Sequence, residues 1–141
     1  MTPILAFDIE TVPDVRGIRT LYGLPAELSD AEVVEFAQQQ RRAKNGSDFM
    51  PLHLQQVVAI SCCMRWGQDK IHVGTIGDIG DDEETVIARF FELVESHTPQ
   101  LVSWNGGGFD LPVLHYRALI HGITAARYWD MGEGDFGDSR D

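Results

Sequence analysis

The sequence has few of the features that are typical of secreted proteins, of proteins stabilised by a structural metal site, or of membrane-spanning proteins. Its only two cysteines, Cys62 and Cys63, are adjacent, which excludes a disulfide-stapled scaffold, and two cysteines alone make no zinc site. Its apolar runs fall far short of the roughly 18 residues that are needed to cross a bilayer. Its first residues contain neither a basic region nor a small-residue cleavage site. We therefore expect a cytoplasmic protein that has no membrane partner.

Positive charge is also scarce. Lys and Arg number 11 against 22 Asp and Glu, which gives a formal net charge of −11 at pH 7. A protein that binds nucleic acid through a broad basic face has the opposite balance. The negative charge of a polyanionic substrate would therefore have to be neutralised locally, by bound divalent metal. Apolar residues make up 43% of the 141 residues, which suits one soluble globular domain, residues 1–141, with a hydrophobic core.

Hydrophobic patterning predicts an α/β fold in the order strand, helical insertion, hairpin, helix, strand, helix. Ser29 and Glu32 form the signature of a capping box at the start of a helix in the insertion. The turn Gly67-Gln68-Asp69 joins two β-rich runs into a hairpin. An antiparallel hairpin beside parallel strands makes a mixed sheet flanked by helices. The strands are predicted over residues 4–9, 57–66, 70–76 and 101–104, and the last helix over residues 111–121.

Two carboxylates stand at the end of the first predicted strand. Asp8 and Glu10, at positions i and i+2, point to the same face about 6.6 Å apart along the strand, while Ile9 packs on the other face. Side-by-side carboxylates repel each other, and a divalent cation that prefers oxygen ligands, such as Mg²⁺ or Mn²⁺, removes that conflict. The alternative is a plain solvated strand end.

A glycine-rich segment, Ser103 to Asp110, follows the last predicted strand and opens the last helix. Its three glycines allow a sharp turn and the close approach of another group. Asp110 falls at or near the helix N-terminus, where an N-cap is the commoner explanation of an aspartate. A phosphate cradle is a weaker alternative, because the usual glycine motifs of phosphate-binding loops are absent. Together, the strand-end pair and Asp110 could converge on two metal ions that activate a water and stabilise the leaving oxygen of a phosphodiester.

Both segments resemble motifs of a known family. Phe7-Asp8-Ile9-Glu10-Thr11 resembles the first motif of the DEDD 3′–5′ exonucleases, and residues 105–110 resemble their second motif, N-x(2–3)-F/Y-D. Val12-Pro13-Asp14 and Pro51-Leu52-His53-Leu54 are similar to segments of a bacterial group of predicted exonucleases related to the proofreading domain of family-B DNA polymerases. The resemblance implies a ribonuclease-H-like fold, two Mg²⁺ or Mn²⁺ ions, and the 3′ ends of single-stranded DNA (or RNA) as substrate.

The same resemblance implies a role for each motif residue. Three carboxylates would bind the metal ions and act in catalysis: Asp8, Glu10 and Asp110. Of these, Glu10 would also lie near the attacking water. Three further residues would contact the terminal nucleotide or shape its pocket: Thr11, Asn105 and Phe109.

One feature of the family has no counterpart. No Tyr or His of the sequence has an Asp at the spacing of the third motif, Y-x(3)-D or H-x(4)-D, which supplies the general base and the fourth carboxylate. The sequence also stops where a final strand and helix would be expected, after an acidic, loop-like tail over residues 130–141. We therefore expect a truncated chain, incomplete at its C-terminus and inactive alone. Two alternatives stay open: a non-catalytic module of the same fold that binds nucleic acid or a protein, and a structural domain whose carboxylates are solvated or capping.

Other conspicuous residues are assigned structural roles. Trp66 and Trp104, at predicted strand ends, could stack on bases, but strand-end tryptophans are more often core residues. The basic cluster Arg41, Arg42 and Lys44 could follow a nucleic-acid backbone, but a solvated helix face is the plainer prediction. The acidic run over residues 81–84 is typical of helix N-terminal charge, and Asp81 or Asp82 can cap that helix.

Overall fold

The computed structural model describes residues 1–125, so the acidic tail predicted over residues 130–141 lies outside the described residues. The predicted order of elements is confirmed, with one additional helix near the start. The helices and strands are β1 (Ile4–Pro13), α1 (Val15–Tyr22), α2 (Asp30–Asn45), β2 (Gln55–Trp66), β3 (Lys70–Thr75), α3 (Glu83–His97), β4 (Gln100–Val102) and α4 (Asp110–His121). Within residues 1–125, no helix is both long and apolar enough to cross a membrane.

The chain divides into two compact units. Among the described residues, the sheet unit consists of Met1–Glu10 and residues 57–125, and the helical unit consists of Thr11–Gln56. The helical unit coincides with the insertion that the sequence predicts between the first two strands. Each unit has its own buried residues, which are described separately below.

Within residues 1–125, the sheet has four strands in the order β3-β2-β1-β4. β1 pairs with β4 in parallel through residues 4–6, whereas β2 and β3 pair antiparallel, with Trp66 opposite Lys70 beside the turn. Gly67 begins that turn with a φ of 61°, a left-handed conformation that glycine adopts without steric strain. The predicted mixed sheet and hairpin are therefore confirmed.

The core of the sheet unit forms between β1 and α3. Leu5, Phe7 and Ile9 alternate along β1 and are all buried, as the period of two in a half-buried strand requires. The ring centroid of Phe7 lies 5.1 Å from that of Phe90 on α3. The apolar positions of α3 recur at helical spacing and are buried together: Val86, Ile87, Phe90, Phe91 and Val94. Asp82, one of the two predicted caps, accepts a hydrogen bond from Thr85 N at the start of α3.

A buried ion pair also lies inside the sheet unit. The side chains of Glu83 and Arg117 are each 4% exposed, and Arg117 Nη2 donates to Glu83 Oε1 over 2.6 Å. The same carboxylate accepts a hydrogen bond from the backbone N–H of Val57 at 2.5 Å and lies 2.7 Å from His121 Nε2. Glu83 therefore joins the start of α3 to α4 and β2. This role goes beyond the helix-start charge that the sequence indicated.

The helical unit is built from α1 and α2. The capping box predicted for α2 is confirmed, because Ser29 Oγ accepts from Glu32 N while Glu32 Oε2 accepts from Ser29 N. The additional helix α1 begins after Asp14, whose side chain accepts from Gly17 N at 3.0 Å. The core of this unit is a cluster of five buried residues: Ile18, Val33, Ala37, Met50 and Leu54.

Candidate active site

The carboxylate pair of the first motif lies on one face of β1. Asp8 and Glu10 are exposed, whereas their neighbours Phe7 and Ile9 are buried. This alternation puts both carboxylates on the same side of the sheet, as the sequence predicts. Because the apolar neighbours are locked in the core, the strand holds the backbone beneath both acids in a fixed register.

Asp110, 101 residues after Ile9 in the chain, lies against the same strand. It is the first residue of α4, is only 3% exposed, and its Oδ2 accepts a hydrogen bond of 3.4 Å from the backbone N–H of Ile9. Ile9 separates the two acids of β1, so the buried carboxylate lies against the backbone between them. The N-cap alternative for Asp110 is wrong: Phe109 occupies the cap position, and its side chain makes no capping hydrogen bond.

The electrostatic environment of Asp110 favours its neutral form when no cation is present. Burial raises the pKa of this carboxyl group, and the negative charge of Asp8 raises it further. The Ser103 hydroxyl and the Ile9 N–H oppose these effects and lower the pKa, but the net shift is upward. Ser103 Oγ is buried and near the carboxylate, yet it forms no hydrogen bond of ordinary geometry within the described residues. We infer that Ser103 is an adjacent dipole and not a tightly bonded partner.

The loop that precedes Asp110 is closed by hydrogen bonds of its own backbone. Gly108 N and Phe109 N donate to Asn105 O over 3.1 and 3.0 Å, and Leu111 N donates to Gly106 O over 2.9 Å. Asn105 has a φ of 55°, in the left-handed region that asparagine tolerates better than most residues. These bonds connect the loop to the first turn of α4, so it moves with the helix that carries the buried carboxylate.

Two glycines of this loop lie close to neighbouring side chains. A Cβ on Gly106 would lie 2.8 Å from Ser103 Cβ, and a Cβ on Gly108 would lie 2.5 Å from Asn105 Oδ1. Both separations are shorter than side-chain atoms tolerate. The close approach that the sequence predicts for this segment is therefore made by the side chains of Ser103 and Asn105.

The residues that the motifs assign to substrate contacts lie in different settings. Asn105 is exposed in the loop, and Phe109 is half-buried at the cap of α4. Thr11 belongs to the helical unit, where its hydroxyl donates to Gln55 Oε1 over 2.9 Å. Asn105 and Phe109 therefore share the loop that leads to Asp110, whereas Thr11 is bonded inside its own unit.

Trp104 was expected in the core, and that expectation is wrong. Its side chain is 93% exposed, because β4 ends at Val102 and Trp104 lies in the loop beyond it. Trp66, by contrast, is half-buried, with its ring centroid 5.8 Å from that of His97. A signal for this difference was present in the sequence, because Trp104 directly precedes Asn105 and three glycines.

The chemistry of the carboxylates suits a divalent metal ion, although the side chains are not arranged as a finished site. Among residues 1–125, no three His, Cys, Asp or Glu side chains are grouped closely enough to hold a metal ion as they stand. The three motif acids nevertheless offer only carboxylate oxygens, the donors that Mg²⁺ and Mn²⁺ prefer. A cation beside Asp110 would offset the burial and repulsion that raise its pKa. Asp8, Glu10 and Asp110 therefore fit the ion in donor type and in charge.

Comparisons with known proteins bear on the family and the fold of the chain. A family model described as a predicted 3′-5′ exonuclease related to the exonuclease domain of PolB matches residues 47–140, a range that includes Asp110 but not Asp8 or Glu10. DNA polymerase 1 of Sulfolobus acidocaldarius is 40% identical over 42 residues, which are 30% of this chain and 5% of that protein.

A solved structure shares the fold. The family B DNA polymerase from the hyperthermophilic archaeon Pyrobaculum calidifontis aligns with a TM-score of 0.52 and 21% identity, covering 89% of this chain and 12% of that one. This chain thus spans only a small part of both of these polymerases. With more than half of its residues matched by the family model, the chain belongs to the family of predicted 3′-5′ exonucleases related to the exonuclease domain of PolB.

Proposed function

We propose that this chain forms the carboxylate centre of a metal-dependent 3′–5′ exonuclease that acts on the ends of single-stranded DNA or RNA. One observation carries the proposal: the buried Asp110 carboxylate accepts a hydrogen bond from the N–H of Ile9, between the two exposed acids of β1. A purely structural aspartate at a helix start would cap the helix, and this one does not.

Each residue of the centre has a proposed task. Asp8, Glu10 and Asp110 would hold two Mg²⁺ or Mn²⁺ ions, and Glu10 would also orient the attacking water. When bound, the ions supply the positive charge that lowers the pKa of the water and stabilises the leaving oxygen. Three other residues would position the terminal nucleotide: Thr11, Asn105 and Phe109. The formal charge of −11 explains why the positive charge at the substrate has to come from metal.

The missing third motif limits what this chain does by itself. No Tyr or His is followed by an Asp at the required spacing, so no motif provides the fourth carboxylate. We propose that the chain alone is inactive as a catalyst, with no detectable turnover in trace amounts, and that only a slow residual hydrolysis is seen when the chain is in excess over its substrate. The same absence favours a second candidate function, a module that binds nucleic acid without cleaving it. We also propose a cytoplasmic location, since the thiols of Cys62 and Cys63 are free.

The first experiment measures Mn²⁺ binding by isothermal titration calorimetry. We expect Asp8→Asn and Asp110→Asn each to weaken binding by more than roughly tenfold, because each removes an anionic ligand. The matched control is Glu92→Gln, which removes one exposed acid of α3 from the same unit. Circular dichroism spectra should show that all three variants are folded. Equal Mn²⁺ affinity in the wild type and both site variants would refute the metal centre.

The second experiment separates the enzyme from the binding module. An oligonucleotide labelled at its 5′ end is incubated with excess chain and Mn²⁺, and its products are resolved on a gel. We expect slow shortening from the 3′ end that is lost with EDTA and in Asp8→Asn, but not in Glu92→Gln. Binding of the oligonucleotide without any shortening that depends on Asp8 would reject the exonuclease and establish the binding module.

A further inference from the structure

Trp104 is exposed to a degree that its chemistry does not favour. Its side chain is 93% accessible, although tryptophan carries one of the largest apolar surfaces of any residue. No helix or strand of the described chain covers it. Leaving such a ring in water forgoes the stabilisation that burial of its apolar surface would provide.

The loop anchors the backbone on both sides of Trp104 close to Asp110. Trp104 follows Ser103, whose Oγ is buried near Asp110, and precedes Asn105, whose carbonyl accepts two backbone hydrogen bonds. Consecutive Cα atoms are about 3.8 Å apart, so the base of the tryptophan side chain is fixed between two anchored neighbours. Gly106 O is bonded to Leu111 N in the first turn of α4, which connects the loop to the helix that carries Asp110.

The net charge of the chain limits which kind of contact at Trp104 can add affinity for a nucleic acid. The formal charge of −11 repels phosphates, and the basic cluster around Arg42 belongs to the other unit and is partly neutralised by Glu35 and Asp48. A neutral aromatic face avoids this repulsion. Every nucleobase has a π-face, so stacking on tryptophan adds affinity for a single strand without selecting its sequence.

We propose that the indole of Trp104 stacks on a base of the single-stranded substrate next to the carboxylate centre. This inference rests on the proposed function, since it assumes that nucleic acid is the ligand of the site. It adds a residue outside the two sequence motifs. It predicts that the indole contributes to substrate affinity and leaves Mn²⁺ affinity unchanged. It also predicts little preference among the four bases.

The test is a comparison of substitutions that separate aromatic stacking from apolar bulk. Trp104→Phe keeps an aromatic face, Trp104→Leu keeps only apolar bulk, and Trp66→Phe is the control at the half-buried tryptophan. Affinity for a short fluorescein-labelled single-stranded oligonucleotide is measured by anisotropy with Ca²⁺ in place of Mn²⁺, and a gel checks that the probe is intact. We expect Trp104→Leu to bind about tenfold to a hundredfold more weakly, and Trp104→Phe and Trp66→Phe to stay close to the wild type.

A second set of probes locates the stacked base. Each probe carries one abasic residue at one of the last few positions of the 3′ end. At the stacked position, the abasic probe should weaken binding by the wild type as much as Trp104→Leu weakens binding of the intact probe. The same abasic probe should have no further effect on Trp104→Leu, because the contact is already lost.

The outcomes distinguish this inference from the proposed function. If Trp104→Leu binds the intact probe as tightly as the wild type, or if the wild type does not bind it, the stacking role is wrong even when Mn²⁺ binding depends on Asp110. If Trp104→Leu weakens binding while Mn²⁺ affinity is independent of Asp8 and Asp110, the stacking role holds and the metal centre is wrong.

Discussion

The buried pair of Glu83 and Arg117 leads to a large and specific effect on stability. We predict that Arg117→Met, which keeps most of the side-chain volume, strongly destabilises the sheet unit. Arg117 Nε lies 3.0 Å from both carboxylate oxygens and Nη2 lies 2.6 Å from Oε1, with both side chains 4% exposed. Among the described residues, the variant leaves the buried Glu83 carboxylate with the Val57 N–H and His121 beside it.

The size of the loss follows from the burial. Removing one partner of a buried ion pair costs about 3–5 kcal/mol, because an uncompensated charge stays in a medium of low polarity. For a chain of this length such a loss corresponds to a Tm lower by roughly 10–20 °C. The control is Arg89→Met, since Arg89 pairs with Asp78 and Asp81 while its own side chain is 45% exposed. Exposed pairs contribute about 0–1 kcal/mol, so the same substitution there should have little effect.

Urea denaturation followed by far-UV circular dichroism measures both variants, and the double variant Glu83→Gln/Arg117→Met completes a cycle. We expect the double variant to lose less stability than the two single variants lose in sum, because removing both charges leaves no lone buried ion. A loss below about 1 kcal/mol for Arg117→Met, or additive losses in the cycle, would show that Glu83 and Arg117 do not stabilise the sheet unit as a buried ion pair.

Three further results are expected. In EDTA, Asp110→Asn should be more stable than the wild type at neutral pH. The pKa of Asp110 is raised in the folded protein, so folding favours the protonated form of this carboxyl group. The stability of the metal-free wild type therefore falls as the pH rises from the ordinary aspartate pKa through the raised one. Gly106→Ala should push the loop away from Ser103 Cβ, costing about 1–3 kcal/mol and weakening Mn²⁺ binding. Ser29→Ala should cost about 1 kcal/mol by removing the capping box of α2, with Mn²⁺ affinity unchanged.

Each of these results has its own check. Thermal melts of Asp110→Asn and wild type across an acid-to-neutral pH series should converge below the ordinary aspartate pKa, and a constant difference at every pH would contradict the argument. Gly74→Ala is the control for Gly106→Ala, because its Cβ would come no closer than 3.4 Å to His72 Nε2. If Ser29→Ala leaves the urea midpoint unchanged, the capping hydrogen bonds are not contributing to the stability of the helical unit.

Features that depend on neighbouring residues in the chain could be predicted from the sequence. The capping box at Ser29, the hairpin turn at Gly67 and the alternating burial of β1 all follow from local spacing. The pairing of Asp8 and Glu10 on one face is of this kind, because the period of a strand is two everywhere. The element order and the mixed sheet could therefore be predicted without knowledge of tertiary contacts.

Features that depend on distant contacts could not be predicted in the same way. Helix α1 has eight residues and a glycine at its third position, so its own pattern is weak, and its buried residue Ile18 is held by the core of the helical unit. Glu83 looked like one of several helix-start acids until Arg117, 34 residues away, was seen to pair with it. Trp104 was misplaced because the end of β4, and not hydrophobicity, decides its exposure.

The position of Asp110 shows why local rules and function diverge at this site. A cap would stabilise the helix by about 1 kcal/mol, whereas burying a carboxylate with one long hydrogen bond of 3.4 Å, beside another acid, is unfavourable. If helix stability alone governed this position, the acid would stand one residue earlier, where Phe109 is. The fold holds it instead where a divalent cation would relieve both burial and repulsion. Ion binding and the stability of the sheet unit should therefore be coupled through this one carboxylate, with Mn²⁺ raising the Tm of the wild type and not that of Asp110→Asn.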